Sequence, residues 1–174
     1  MRIFPMALYL HFTRGTDDDH LEQFLEPIHM ASSLIHAHEI GLICCGLFSL
    51  TLREWLQNTD SSKTLSDIAQ SAFEKGRRAY THMGGAFKDE INRPGQFTEP
   101  KNLFYRSPEE LPSWGYALNT WNIALWRLAT IDNYRDCVLK AVNIGGDTDT
   151  DVAVAGALAG IVCGKVLMRV REEW

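Results

Sequence analysis

Apolar residues recur at spacings of three and four along nearly the whole chain, and this period constrains the fold more than any other feature. In "DHLEQFLEPIHMASSLI", residues 19–35, Leu21, Phe24, Leu25 and Ile28 line one face of a helix. Aspartates 17–19 stand ahead of it and supply a capping start whose charge suits a helix N-terminus. "EIGLICCGLFSLTLREWLQ", 39–57, is apolar on most faces, which predicts a central, buried helix. "TLSDIAQSAFEKGRRAYTHM", 64–83, opens with Thr64 and Asp67 at capping-box spacing. Helical pattern returns over 115–131, 133–144 and 150–167. Between Gly84 and Trp114, glycines and prolines break the period. That stretch reads as irregular apart from a turn at "SPEEL", and long irregular stretches in compact domains often carry function. No strand signal and no internal repeat occurs, so the fold class is all-α.

With 174 residues, the chain suits one domain, 1–174, able to bury a core without disulfide or metal staples. A net charge of −5, with no Lys/Arg cluster beyond Arg77–Arg78, leaves no footprint for a nucleic-acid partner. Cys44, Cys45, Cys137 and Cys163 show no CxxC spacing and lie in helical segments, which predicts reduced thiols in a cytoplasmic protein. The opening "MRIFPMALYLHFTRG" has an apolar run broken by Pro5 and no small-residue cleavage site, unlike a signal peptide. No segment reaches the ~18 apolar residues of a membrane span, so no membrane partner is expected.

The densest chemistry lies in "AVNIGGDTDTDVAVAGALAGI", residues 141–161. Gly145 and Gly146 fit a tight turn that ends one helix in the left-handed region. Asp147 then stands at the N-cap of the next helix, with Asp149 and Thr150 in its first turn. Because the cap residue is not yet on the helical spiral, Asp147 and Asp149 can converge. Two carboxylates and a hydroxyl form a hard oxygen cluster suited to Mg²⁺, Mn²⁺ or Ca²⁺. The same residues also suit a well-capped helix whose acids complement its dipole. Two details favour a cation: one capping aspartate would suffice, and like charges this close repel without a counter-ion. Asp151, four residues after Asp147, is expected along the helix flank. An EF-hand is excluded, because Val152 and Leu158 occupy the positions that require glycine and glutamate. Gly156, Gly160 and Gly164 recur every fourth residue and predict a smooth stripe for close helix packing, offsetting the ~1 kcal/mol that each helical glycine costs. Lys165 closes this run too early for a transmembrane pairing motif.

"AVNIGGDTDTDVAVAGALAGIVCG" resembles the C-terminal signature of the ADP-ribosylglycohydrolases, which include the dinitrogenase reductase-activating glycohydrolases. Three further stretches agree in order. "MRIFPMAL" is similar to the family's Met-Arg helix, "SSLIHAHEIG" to its Leu-Thr-His segment with Ile35 in place of threonine, and "GYALNTWNIALW" to the helix before the signature. The resemblance implies an orthogonal multi-helix bundle and a hydrolase with a two-metal site, Mg²⁺ or Mn²⁺. Such an enzyme releases ADP-ribose from a modified protein side chain or small molecule. Carried over by position, Asp147, Asp149 and Thr150 are metal ligands, while Gly145, Gly146, His36 and Tyr116 contact the substrate. The family's remaining ligands and its catalytic acid lie in an upstream Thr/Ser-Asp-Asp-Thr element. The chain therefore resembles the family's C-terminal portion, lacking its N-terminal helices, and no catalytic residue is assigned. "GTDDDH" at 15–20 and "YTHMGG" at 80–85 mimic family elements in the wrong order. These departures carry two expectations: an upstream polypeptide completes the domain, and the chain self-associates through exposed faces of Cys44–Leu52 and Val152–Val162. The alternatives are a non-catalytic module that binds metal or ADP-ribose, and an inert structural remnant.

Overall fold

A computed structural model describes residues 3–14, 18–58, 63–111, 115–129 and 133–172. Its described residues form α1 (Phe4–Arg14), α2 (Leu21–Ser33), α3 (Glu39–Gln57), α4 (Leu65–Met83), α5 (Gly85–Ile91), α6 (Pro100–Leu103), a 3₁₀ turn (Pro108–Glu110), α7 (Ala117–Ala129), α8 (Tyr134–Val142) and α9 (Thr148–Glu172). No strand occurs among them, so the fold is all-α as the period predicts. Met1, Arg2 and Asp17, on which parts of the sequence reading fall, lie outside the described residues.

The central helix is α3, and its composition explains why. Every residue from Leu42 to Glu54 is buried, and the helix packs against α1, α2, α4, α5, α7 and α9. Its two small hydroxyls are satisfied within the helix, since Ser49 donates to the Cys45 carbonyl and Thr51 to that of Leu47, both at 2.8 Å. Glycine lets α4 lie close: a β-carbon at Gly46 would overlap the Tyr80 hydroxyl, and one at Gly76 would sit 2.6 Å from Leu47 Cδ2. A capping box starts α4, with the Asp67 amide donating to Thr64 Oγ1 and the Thr64 amide to Asp67 Oδ2. The four cysteines are free thiols, three of them buried, and burial pushes Cys44 and Cys137 above the ordinary thiol range.

Several expectations are corrected. The N-cap of α2 is His20, with no side-chain capping bond, so of the aspartates read as its capping start neither Asp18 nor Asp19 is the cap. A long-range ion network draws Asp18 away. It pairs with Arg53 at 3.4 Å and with Lys75, which also binds Glu54, and Ser71 donates to Glu54 at 3.1 Å. The stretch read as irregular contains α5 and α6, because Phe87 and Ile91 recur four residues apart and turn inward. The glycine stripe of α9 meets α8, but at ordinary distances. A β-carbon at Gly156 would lie 3.5 Å from Tyr134 Oη and one at Gly160 3.9 Å from Tyr134 Cε2, so close packing does not demand glycine there. The face Cys44–Leu52 is buried, and along 152–162 the residues exposed are Ala153 and Gly160. Apolar exposure falls instead on Tyr9 and Phe12 of α1, on Met30, Leu34 and Ile35 at the end of α2, and on Leu139 and Val142 of α8. Among the described residues no helix is long and apolar enough to cross a membrane.

Candidate functional site

Gly145 and Gly146 adopt φ of +82° and +71°, so both occupy the left-handed region that glycine enters without steric cost. They turn the chain from α8 into α9, whose first helical bond runs from the Asp151 amide to the Asp147 carbonyl at 3.1 Å. Asp147 therefore stands at the N-cap position, where the sequence places it. Across from it lies Gly115, at φ +69°, where a β-carbon would come within 2.9 Å of Asp147 Oδ2. This close approach joins the turn before α7 to the tip of α9, and it sets Tyr116 beside the aspartate turn. Gly115 carried no signal of its own in the sequence beyond its place before Tyr116.

Helical phase separates the three aspartates. The buried stripe of α9 runs through Asp151, Val154, Ala155, Leu158 and Ala159, so Asp151 is 1% exposed rather than placed on a flank. Asp149, half a turn away, is exposed, while Asp147 and Thr150 are half-buried. The donor chemistry of Asp147, Asp149 and Thr150 suits a hard divalent cation. Their number does not fill its coordination sphere, and among the described residues no three His, Cys, Asp or Glu side chains are gathered closely enough to hold a metal ion.

His36 lies in the short connection between α2 and α3, where its amide and that of Ile35 bond the Ser32 carbonyl. Its side chain is exposed, unlike the partly buried histidine that a purely structural role would want. Nearby His38, not His36, caps α3 by accepting from the Ile40 amide at 3.3 Å. Tyr116 is half-exposed at the start of α7. Its hydroxyl has a raised pKa, chiefly through burial, with Cys44 and the Glu90 carboxylate adding to the effect; a hydrogen bond from Gln96 and the Arg93 charge oppose it. Glu90, Arg93 and Gln96 come from the segment read as irregular, and the sequence reading missed them. Their proximity to Tyr116 depends on long-range packing that no local spacing encodes. In the two mimics, Asp18 belongs to the Arg53–Lys75 network, and His82 Nδ1 lies 3.0 Å from Glu22 Oε1 on an exposed face.

The model of the ADP-ribosylglycohydrolase family matches residues 1–174, and the chain belongs to that family. It is similar to the ADP-ribosylarginine hydrolase Tri1 of Pseudomonas putida (strain GB-1), with 27% identity over 133 residues, 76% of this chain and 31% of that protein. It is also similar to the ADP-ribosyl-[dinitrogen reductase] glycohydrolase of Rhodospirillum rubrum, with 33% identity over 104 residues, 58% of this chain and 34% of that protein. A third relative, the Tri1 hydrolase of Serratia proteamaculans (strain 568), is 34% identical over 70 residues, 40% of this chain and 18% of that protein. The chain thus spans 34% or less of the length of these curated relatives. No solved structure matches it significantly.

Proposed function

We propose that this chain forms the ADP-ribose-facing part of a hydrolase that removes ADP-ribose from a modified side chain or small molecule. One observation carries the reading: the positive-φ turn Gly145–Gly146 presents Asp147 directly against Gly115, next to Tyr116. Gly145, whose amide donates to the Val142 carbonyl at 3.2 Å, and Gly146 put no side chain over the turn, and Tyr116 offers a half-exposed ring. His36 offers an exposed imidazole, and contact with the ligand is its proposed role. Asp147, Asp149 and Thr150 would hold Mg²⁺ or Mn²⁺. When bound, such a cation supplies charge stabilisation and water activation.

The residues of this chain bind and orient. No catalytic acid is assigned among the described carboxylates: Asp151 is buried in the core stripe of α9, and Asp147 is assigned to the cation. Glu90 is engaged by Arg93, and Asp18 by Arg53 and Lys75. The reading takes the remaining acidic ligands for cleavage from outside these 174 residues. The same shortage of donors supports a second reading, a module that binds ADP-ribose without cleaving it. Titration of the purified chain with ADP-ribose, with and without Mn²⁺, tests the proposal. Binding that Mn²⁺ strengthens in the wild type, and that loses this dependence in Asp149→Ala, supports the site. A Mn²⁺ response unchanged by the substitution removes it.

A further inference from the structure

The exposed side of α4 carries an open hollow of about 620 Å³, lined by Glu74, Arg77, Arg78, Thr81 and His82. Helical spacing sets these side chains in two rows, Arg77 with Thr81, and Glu74 with Arg78 and His82. One row is held by Asn92 at the end of α5. Arg77 Nε donates to Asn92 Oδ1 at 3.1 Å, and Asn92 Nδ2 donates to Thr81 Oγ1 at 3.0 Å and to the Lys88 carbonyl at 2.9 Å. Asn92 thus occupies one donor of Arg77 and one acceptor position of Thr81. The terminal guanidinium nitrogens of Arg77 and the hydroxyl proton of Thr81 are left for a ligand. In the other row His82 is held by Glu22, whose Oε1 lies 3.0 Å from Nδ1, so Nε2 is the ring nitrogen left to the hollow. Arg78 has no hydrogen-bond or ion-pair partner among the described residues.

Two guanidinium groups and a hydroxyl donor facing one hollow suit an oxyanion, and planar guanidinium forks match phosphate oxygens. In a chain of net charge −5, Arg77 and Arg78 form the Lys/Arg pair that stands out in the sequence. A merely solvated helix face would leave such side chains to find water separately. Here one asparagine from another helix orients both Arg77 and Thr81. Glu74, which accepts from Gln70 Nε2 at 3.0 Å, puts its charge at one end and leaves the cationic end to the anion. We propose that the α4 hollow is a phosphate-binding site, in which Arg77, Arg78 and Thr81 take the oxygens of a phosphate group and Asn92 positions Arg77 and Thr81 to do so. None of these residues belongs to the site at the Gly145–Gly146 turn, so the proposal does not rest on the ADP-ribose reading.

Amide NMR spectra of the purified chain, titrated with inorganic phosphate or phenyl phosphate against sodium chloride at matched ionic strength, test this. Both phosphates should shift the amides of residues 77–82 and the Asn92 side-chain amide saturably. Arg78→Ala, at an exposed position where folding is not at stake, should weaken binding about three- to tenfold, as loss of an exposed charge-assisted contact does. Arg78→Lys, which keeps the charge without the fork, should recover part of that loss. Asn92→Ala should also weaken binding although every proposed phosphate contact remains, with its amide spectrum outside 77–92 reporting an intact fold. Tighter binding of phenyl phosphate supports a phosphomonoester as the natural ligand, and tighter binding of inorganic phosphate supports the free ion. Equal shifts with sodium chloride overturn the proposal, since they report screening of charge alone. Unchanged affinity in Arg78→Ala, or shifts confined to residues outside 74–82 and Asn92, also overturns it.

Discussion

At Gly115 the backbone stands at φ +69°, and a β-carbon would come 2.9 Å from a carboxylate oxygen of Asp147. Gly95, at φ +75° with nothing within 4 Å, has the same conformational demand without the crowding. Alanine at either position should therefore cost about 1 kcal/mol for the strained backbone, and Gly115→Ala should cost more, up to about 3 kcal/mol, because Asp147 must move. Denaturant unfolding of both variants checks the difference, and Gly115→Ala alone should also weaken ADP-ribose. His29 makes a second residue-scale case. It lies between Tyr80 and Phe87, its Nε2 is 2.9 Å from the Tyr80 hydroxyl, and burial pushes its pKa down to about 4. The folded pKa is below the unfolded value, so the folded state favours the neutral ring. Its contribution is complete above about pH 6.5 and is lost as pH falls toward 4. Unfolding at pH 7 and pH 5 should show the loss, and His29→Gln, which keeps a partner for Tyr80, should flatten this window. Asp151 shows what a residue-by-residue reading overlooks. Its burial was legible from its phase with Val154, Ala155 and Leu158, yet its charge outweighed the period in the reading.

Elements with strong local signals were legible to the residue. The apolar run of α3 and the Thr64–Asp67 capping box of α4 mark ends that the structure reproduces, because propensity, capping and burial agree there. Where a distant partner competes, local signals fail, as when Arg53 and Lys75 take Asp18 from the cap of α2. Glycine in helices divides the same way. The α9 stripe looks like a packing device, yet the helical glycines under steric demand are Gly76 in α4, against Leu47, and Gly46 in α3, against Tyr80 and with Leu25 Cδ2 only 2.9 Å from a β-carbon. Gly46→Ala should destabilise by about 1–3 kcal/mol through overpacking. Gly160→Ala should stabilise by about 0.5–1 kcal/mol, since it meets ordinary contact and gains helix propensity. Opposite shifts in melting temperature confirm the pair of assignments; a large loss at Gly160 would show that α8 and α9 pack more tightly than the structure has them.

Across the whole molecule, chain order hides the site. Tyr116 and Asp147 stand just ahead of separate helices, α7 and α9, and meet only through the close approach of Gly115 to Asp147. The glycine turn at 145–150 is legible from its own residues, whereas the packing of α5 and its following turn onto α4 and α7 is not. Apolar side chains are exposed on α1, at the end of α2 and on α8, away from the faces to which the sequence points. The central proposal is that these residues hold part of an ADP-ribose site and part of its metal ligand set, with the remaining acidic ligands coming from outside them. Release of ADP-ribose from an ADP-ribosylated arginine substrate, in Mn²⁺, measures that claim most directly. The account predicts no release by the purified 174 residues, release when an upstream polypeptide carrying the acidic element is added, and loss of that release in Asp147→Asn. Sustained release by the 174 residues alone would contradict it.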